Sequence, residues 1–147
     1  MNLTDHFTDA ELGVAGCDEQ LVENARYLCQ EILEPIRAKF GPVRVHDGYR
    51  DPSHNARVGG KADSFHLFEW GRAAADVDAL HYGLADLFDW LRLESGLPFD
   101  KVILESNAQG SPAAIHIQVD RLKSPRRQAF TGHTGNGTVY IPQQVVA

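Results

Sequence analysis

With 147 residues, 43% apolar and 23% charged, the chain suits one domain with a buried core, and its composition is neither disordered nor membrane-like. A net charge of -6 lacks the basic footprint of a general nucleic-acid binder. No apolar run approaches the roughly 20 residues that cross a bilayer.

The opening MNLTDHFTDAELG has neither the basic start nor the apolar stretch of a secretory signal. Synthesis in the cytoplasm is expected, and any action outside it would need another delivery route. Cys17 and Cys29 show no CxxC spacing and read as reduced, partly buried thiols rather than a disulfide framework. No neighbour that would stabilise a thiolate marks either as a nucleophile.

In chain order, HFTDAELG reads as a short first helix, with Thr8 and Glu11 in capping-box spacing. From Asp18 to Lys39 the pattern is helical. Leu21, Ala25, Leu28, Ile32, Ile36 and Phe40 form one apolar stripe, which Pro35 should kink or split and Gly41-Pro42 should end. VRVHDGY alternates and predicts a strand over Val43 to Tyr49, followed by a short helix from Pro52 that Gly59-Gly60 stops. AAADVDA is a second strand. HYGLADLFDWLRLESG is an amphipathic helix with Leu84, Leu87, Phe88 and Leu91 inward, closed by Gly96. FDKVILES and AAIHIQVD are two further strands across the loop NAQGSP. RLKSPRR (121–127) reads as a solvated turn, and GTVYIP as an edge strand, because Pro142 cannot serve a central one. No repeat or linker divides the chain. Helices early and strands late predict a single α+β domain, its N-terminal helices packed on a mostly antiparallel sheet.

Three residues draw chemical attention. Ala74, Asp76 and Asp78 share one face of their strand, so the face is either wet or carries a carboxylate that is paired or bound to metal. Asp76 and Asp78 compete for that role. His116, between Ile115 and Ile117, shares its face with Ala114 and Gln118, and His66 lies between a Gly-Gly turn and an aromatic cluster. Each histidine alone reads equally as structural. Together, two imidazoles and a carboxylate from separate elements make a three-ligand shell with an open fourth position, the requirement of a catalytic zinc. The remaining histidines, His6, His46, His54, His81 and His133, form no HExxH helix, which excludes a thermolysin-like site.

VRVHDGYRDPSHNARVGGKADSFHL, GRAAADV, LPFDKVILE and IHIQV resemble the zinc D-Ala-D-Ala peptidases, the carboxypeptidases and endolysin peptidases of the hedgehog/DD-peptidase group. HFTDAELG and EILEPIRAKFG resemble the version common in phages and prophages. The likeness covers roughly residues 3–130, leaving 131–147 as a C-terminal tail of the one domain, 1–147.

The resemblance implies a hedgehog/DD-peptidase-like fold and a Zn2+ ion bound by His66, Asp76 and His116. It further implies that Arg50 holds a substrate carbonyl or carboxylate, that Ser64 shapes the substrate site, and that Glu105 is the general base. On residues alone, Arg50 also reads as an ion-pair partner of Asp47 or Asp51, Ser64 as a turn hydroxyl and Glu105 as a strand-end carboxylate. Asp76 follows His66 by ten positions where the family has seven, so LFEWGR is an expanded loop and Asp78 stays open as the ligand. The family's Trp before its last histidine is missing, and Trp70 reads either as a cleft residue or as a packed aromatic. The implied activity is zinc-dependent hydrolysis of peptidoglycan peptides, as a D-Ala-type carboxypeptidase or endopeptidase. The alternative is a non-catalytic zinc-stabilised virion or cell-wall-binding module. The implied partner is a cell-wall peptide, met after release from the cytoplasm or as a virion component, with no nucleic acid and no membrane span. A monomer is compatible with all of this.

Overall fold

The computed structural model describes residues 1–107, 109–133 and 139–146. Among them, helices α1 (Glu19–Leu28), α2 (Glu34–Phe40), α3 (Pro52–Arg57) and α4 (Leu84–Leu93) accompany strands β1 (Val43–Asp47), β2 (Arg72–Ala79), β3 (Lys101–Ser106), β4 (Pro112–Asp120), β5 (Gln128–His133) and β6 (Val139–Gln143). The strands form one sheet in the order β1-β2-β4-β3-β5-β6. Four neighbouring pairs are antiparallel, and β3 and β5 run parallel. The expected α+β domain with a mostly antiparallel sheet is what forms.

Period-two alternation divides the sheet into two faces. Ala73, Ala75 and Val77 of β2, Val102 of β3, and Ile115, Ile117 and Val119 of β4 are buried in one core with Leu28, Ile32, Ile36, Leu87 and Leu91 of the helical layer. Burying this apolar surface is the main stabilising contribution, at about 25 cal/mol per Å². The opposite face carries Asp76, His116, Gln118, Lys101 and Glu105, which puts the chemistry on a rigid floor.

The long helix divides near Pro35, as expected. Cys29–Leu33 widens to a π-helical turn in which the Glu34 N–H reaches Cys29 C=O, and Pro35 then sits in the first turn of α2. A proline has no N–H for the carbonyl four residues back and its ring crowds that carbonyl, so the extra residue falls just before it. The expected apolar stripe is buried from Ala25 to Phe40, with Leu21 at its half-buried margin.

Two expectations are corrected. HFTDAELG forms turns rather than a helix. Its capping box exists nonetheless: Thr8 N–H donates to Glu11 Oε1 at 3.0 Å and Glu11 N–H to Thr8 Oγ1 at 3.2 Å. Gly13 at φ 75° ends it after a single turn, too short to propagate a helix. The first strand stops at Asp47 rather than Tyr49, because Tyr49 N–H turns away to Leu12 C=O at 2.9 Å. RLKSPRR is exposed over 121–126, as expected of a solvated turn, and is also anchored to the body as a crossover. Arg127 lies 5.1 Å over Phe99 with its Nε donating to Leu97 C=O, and Arg126 grips Asp100. The crossover carries the chain past the start of β3 and into β5, an element without a strong alternating pattern. The expected edge strand in the tail is β6, which extends the sheet at its margin, as Pro142 requires. Ala108 of the NAQGSP loop and 137–138 of GTVYIP lie outside the described residues.

Candidate metal centre

His66, Asp76 and His116 come from three places. His66 sits in a 3-10 turn, Phe65–Leu67, whose N-cap is Ser64; its hydroxyl accepts from His66 N–H at 3.2 Å. Asp76 and His116 face each other across the β2–β4 ladder. One ligand atom from each residue lies within 4.8 Å of the other two. Asp76 Oδ1 is 3.1 Å from His116 Nδ1 and 3.4 Å from His66 Nε2.

The outward nitrogens fix both tautomers. His66 Nδ1 lies 2.7 Å from Gly48 C=O, which can only accept, so Nδ1 carries the proton and Nε2 presents its lone pair. His116 Nε2 lies 2.8 Å from Gln118 Oε1. That amide orientation is set because Gln118 Nε2 donates to Asp100 Oδ2 at 2.7 Å, and Asp100 is clamped by two bonds from Arg126, both 2.7 Å. His116 therefore donates through Nε2 and turns the lone pair of Nδ1 inward. Two nitrogen lone pairs and a carboxylate oxygen face one another in a largely buried place. Three acceptors so arranged need a cation among them, either a proton or a metal ion. The proton's version of that attraction is visible: burial lowers the His116 pKa, but the hydrogen bond and charge of Asp76 outweigh it and the net shift is upward. Burial likewise works to raise the Asp76 carboxyl, and hydrogen bonds to His116 and His66 hold it well below the usual range. The donor set, two borderline-soft nitrogens and one anionic oxygen, fits zinc.

Asp78 is taken elsewhere, bonded to Arg44 at 2.8 Å and 3.3 Å from His46 Nε2. A bulge in the β1–β2 pairing sits at this level and sets Asp47 opposite Asp76. Arg50 Nε donates to Asp47 Oδ2 at 2.7 Å, and its Nη2 stands 3.9 Å from Asp76 Oδ2. The ion-pair reading of Arg50 is thus correct for Asp47, while Asp51 instead caps α3 by accepting from His54 N–H. Arg50 and Ser64 both also line the cleft described next.

The centre opens on a cleft of about 940 Å³. Its floor is ordered in rows by the strand register. Asp76, His116 and Ile103 share one row. Two residues along, Glu105 and Tyr140 flank Gly132. A side chain at Gly132 would collide with the Tyr140 ring, so this glycine is what lets the ring lie across the sheet. Two residues the other way come Gln118 and Lys101. Glu105 is half-buried. Burial and the Asp76 charge raise its pKa above the ordinary range against the pull of His116, His66 and Arg50. Trp70 is 62% exposed outside the cleft, stacked on Arg72 at 4.9 Å, which corrects both expectations for it.

Gln118, Asp100, Arg126, Lys101 and Tyr140 were not singled out from sequence. Only Gln118 had left a trace, as a neighbour on the face of His116. Arg126 and Asp100 meet across 26 positions, which no local pattern encodes.

A carboxylate and two tautomer-locked imidazoles, with a half-buried glutamate one row away in an open cleft, define a metal-hydrolase type of centre. The family model described as Peptidase M15 matches residues 5–109, and the chain belongs to that family, whose peptidases are zinc-dependent. The matched span holds Arg50, Ser64, His66, Asp76 and Glu105. His116 lies beyond it and joins the centre through the β2–β4 pairing. No curated protein matches the chain.

Proposed function

We propose that the protein hydrolyses peptide bonds beside D-amino acids in bacterial peptidoglycan, with His66, Asp76 and His116 holding a Zn2+ ion. The observation that carries this reading is the convergence of three acceptor atoms on the floor of a cleft that also presents Glu105. The choice of cell-wall peptides rests on the likeness of the GYR, VGG, SFH and IHIQV motifs to the D-Ala-D-Ala peptidases.

Zinc, when bound, supplies a Lewis acid for the scissile carbonyl and brings the pKa of attacking water to roughly 7. Glu105, with its raised pKa, takes a proton from that water and returns it to the departing amine nitrogen. The water oxygen bonds to the carbonyl carbon, the C–N bond breaks, and an acid and an amine leave. Arg50, held by Asp47 beside Asp76, sets its remaining N–H donors toward charge on the substrate carbonyl or carboxylate. Ser64 orders the turn that carries His66 and lines the substrate's path. The protein meets its substrate after release from the cytoplasm or as part of a virion.

Glu105→Gln tests the mechanism. Peptidoglycan hydrolysis, followed by mass spectrometry of the released peptides, should fall by about 10²–10⁴-fold while one zinc per chain is retained. Unchanged turnover removes Glu105 from the chemistry. Zinc bound by the unaltered protein with no cleavage product at all would favour a binding module.

A further inference from the structure

Lys101 occupies the cleft floor two residues from the row of His116, about 7 Å along the strands. It is half-buried, yet among the described residues no carboxylate lies within 4 Å of its ammonium. The nearest acid in sequence, Asp100, is taken up by Arg126 and Gln118. Two further cations, Arg126 and Lys61, act on Lys101 and add to the effect of burial in disfavouring its charge, while Asp100 and Asp63 oppose them. Its ammonium also lies 5.5 Å from the Phe130 ring. Nearby, Arg72 is sandwiched over Phe65 and Trp70 with its buried Nε unpartnered and Asp120 no closer than 3.9 Å. In a chain of net charge -6, this cleft end gathers five cations, Lys61, Arg72, Lys101, Lys123 and Arg126, against Asp63, Asp100 and Asp120. Leaving an ammonium partly desolvated and unpaired is costly, and water alone would reward a longer reach to the surface instead.

We propose that Lys101 is the receptor for a substrate carboxylate placed one or two residues from the scissile bond, so that the peptides taken are acidic. This rests on the hydrolytic reading above and adds the subsite. Arg50 is instead engaged beside Asp76, bonded to Asp47 at 2.7 Å and 3.9 Å from Asp76 Oδ2.

The test uses two synthetic stem peptides, identical except that the acidic side carboxyl is free in one and a carboxamide in the other. With the zinc-loaded protein, the acid form should show about a tenfold lower KM, with the advantage shrinking as salt rises. Lys101→Met should bring the KM ratio close to one, and Lys101→Arg should keep most of it. Equal KM values in the unaltered protein overturn the proposal, as does a preference that survives Lys101→Met. Should Lys101→Met fail to fold, the ratio for the unaltered protein at low and high salt decides. If neither peptide is cut, the hydrolytic reading fails on its own, and calorimetry judges the subsite: tighter binding of the acid form supports it, and equal or absent binding overturns it.

Discussion

Gln118 does for His116 what Gly48 C=O does for His66: it accepts the outer ring proton and so decides which nitrogen faces inward. The backbone carbonyl achieves this by itself, whereas the amide must first be oriented by Asp100 and Arg126. Replacing Gln118 with leucine, similar in size but without the acceptor, should leave the sheet intact and free the imidazole to adopt either tautomer. Zinc affinity measured by chelator competition should weaken about 10–100-fold. An unchanged affinity would mean that packing alone orients His116. At this scale the sequence pointed to His66, Asp76 and His116, which the fold brings together, and it named Glu105 as a candidate that lines the same cleft. The supporting amide and its Asp100–Arg126 clamp were not legible, since any loop aspartate and arginine look alike until the fold brings them together.

Among the elements, the segment between His66 and Asp76 bears most on the centre, because it sets the first ligand against the second. It contains two non-glycine residues in the left-handed region, Phe68 at φ 53° and Trp70 at φ 56°. That conformation is held from outside. Asn24 of α1, fully buried, donates to Phe68 C=O at 3.0 Å and to Trp70 C=O at 2.7 Å, and its own oxygen accepts from Arg121 Nε at 2.6 Å. The buried Phe68 ring meets Tyr49 edge-on at 5.5 Å. Asn24→Ala should therefore cost about 1–3 kcal/mol in a denaturant melt, since it orphans the buried Phe68 carbonyl, and amide exchange should rise selectively over 67–71. A loss spread evenly over the chain would point to α1 instead. The three extra positions before Asp76, read from sequence as an expanded loop, are accommodated by this clamp. The opening turn plays a similar part: a side chain on Gly48 would meet Leu12 C=O at 2.5 Å, so the glycine of GYR lets that turn back the carbonyl that orients His66.

For the whole molecule, a metal held by the three residues would link the sheet to the segment over it, since Asp76 and His116 belong to the floor and His66 to the turn above. Zinc should therefore stabilise the protein as well as activate it. At a free concentration a hundred times its dissociation constant it should add about 2.7 kcal/mol, a rise in Tm of ~5–10 °C that a chelator reverses. A melting curve indifferent to zinc and chelator would contradict the ligand set. The amino-acid order by itself determined the α+β class, the helix break near Pro35, the alternating strands and the ligand pattern, because periodicity, proline chemistry and motif spacing are local properties of a chain. Only the tertiary structure decided between Asp76 and Asp78 as the neighbour of the two histidines, gave Trp70 to the surface, and turned RLKSPRR into the crossover that sets Arg126 on Asp100. It also laid Lys101 and Glu105 on opposite sides of the metal row. Those outcomes depend on strand register and on pairings between distant residues, where a shift of one position turns a side chain to the other face.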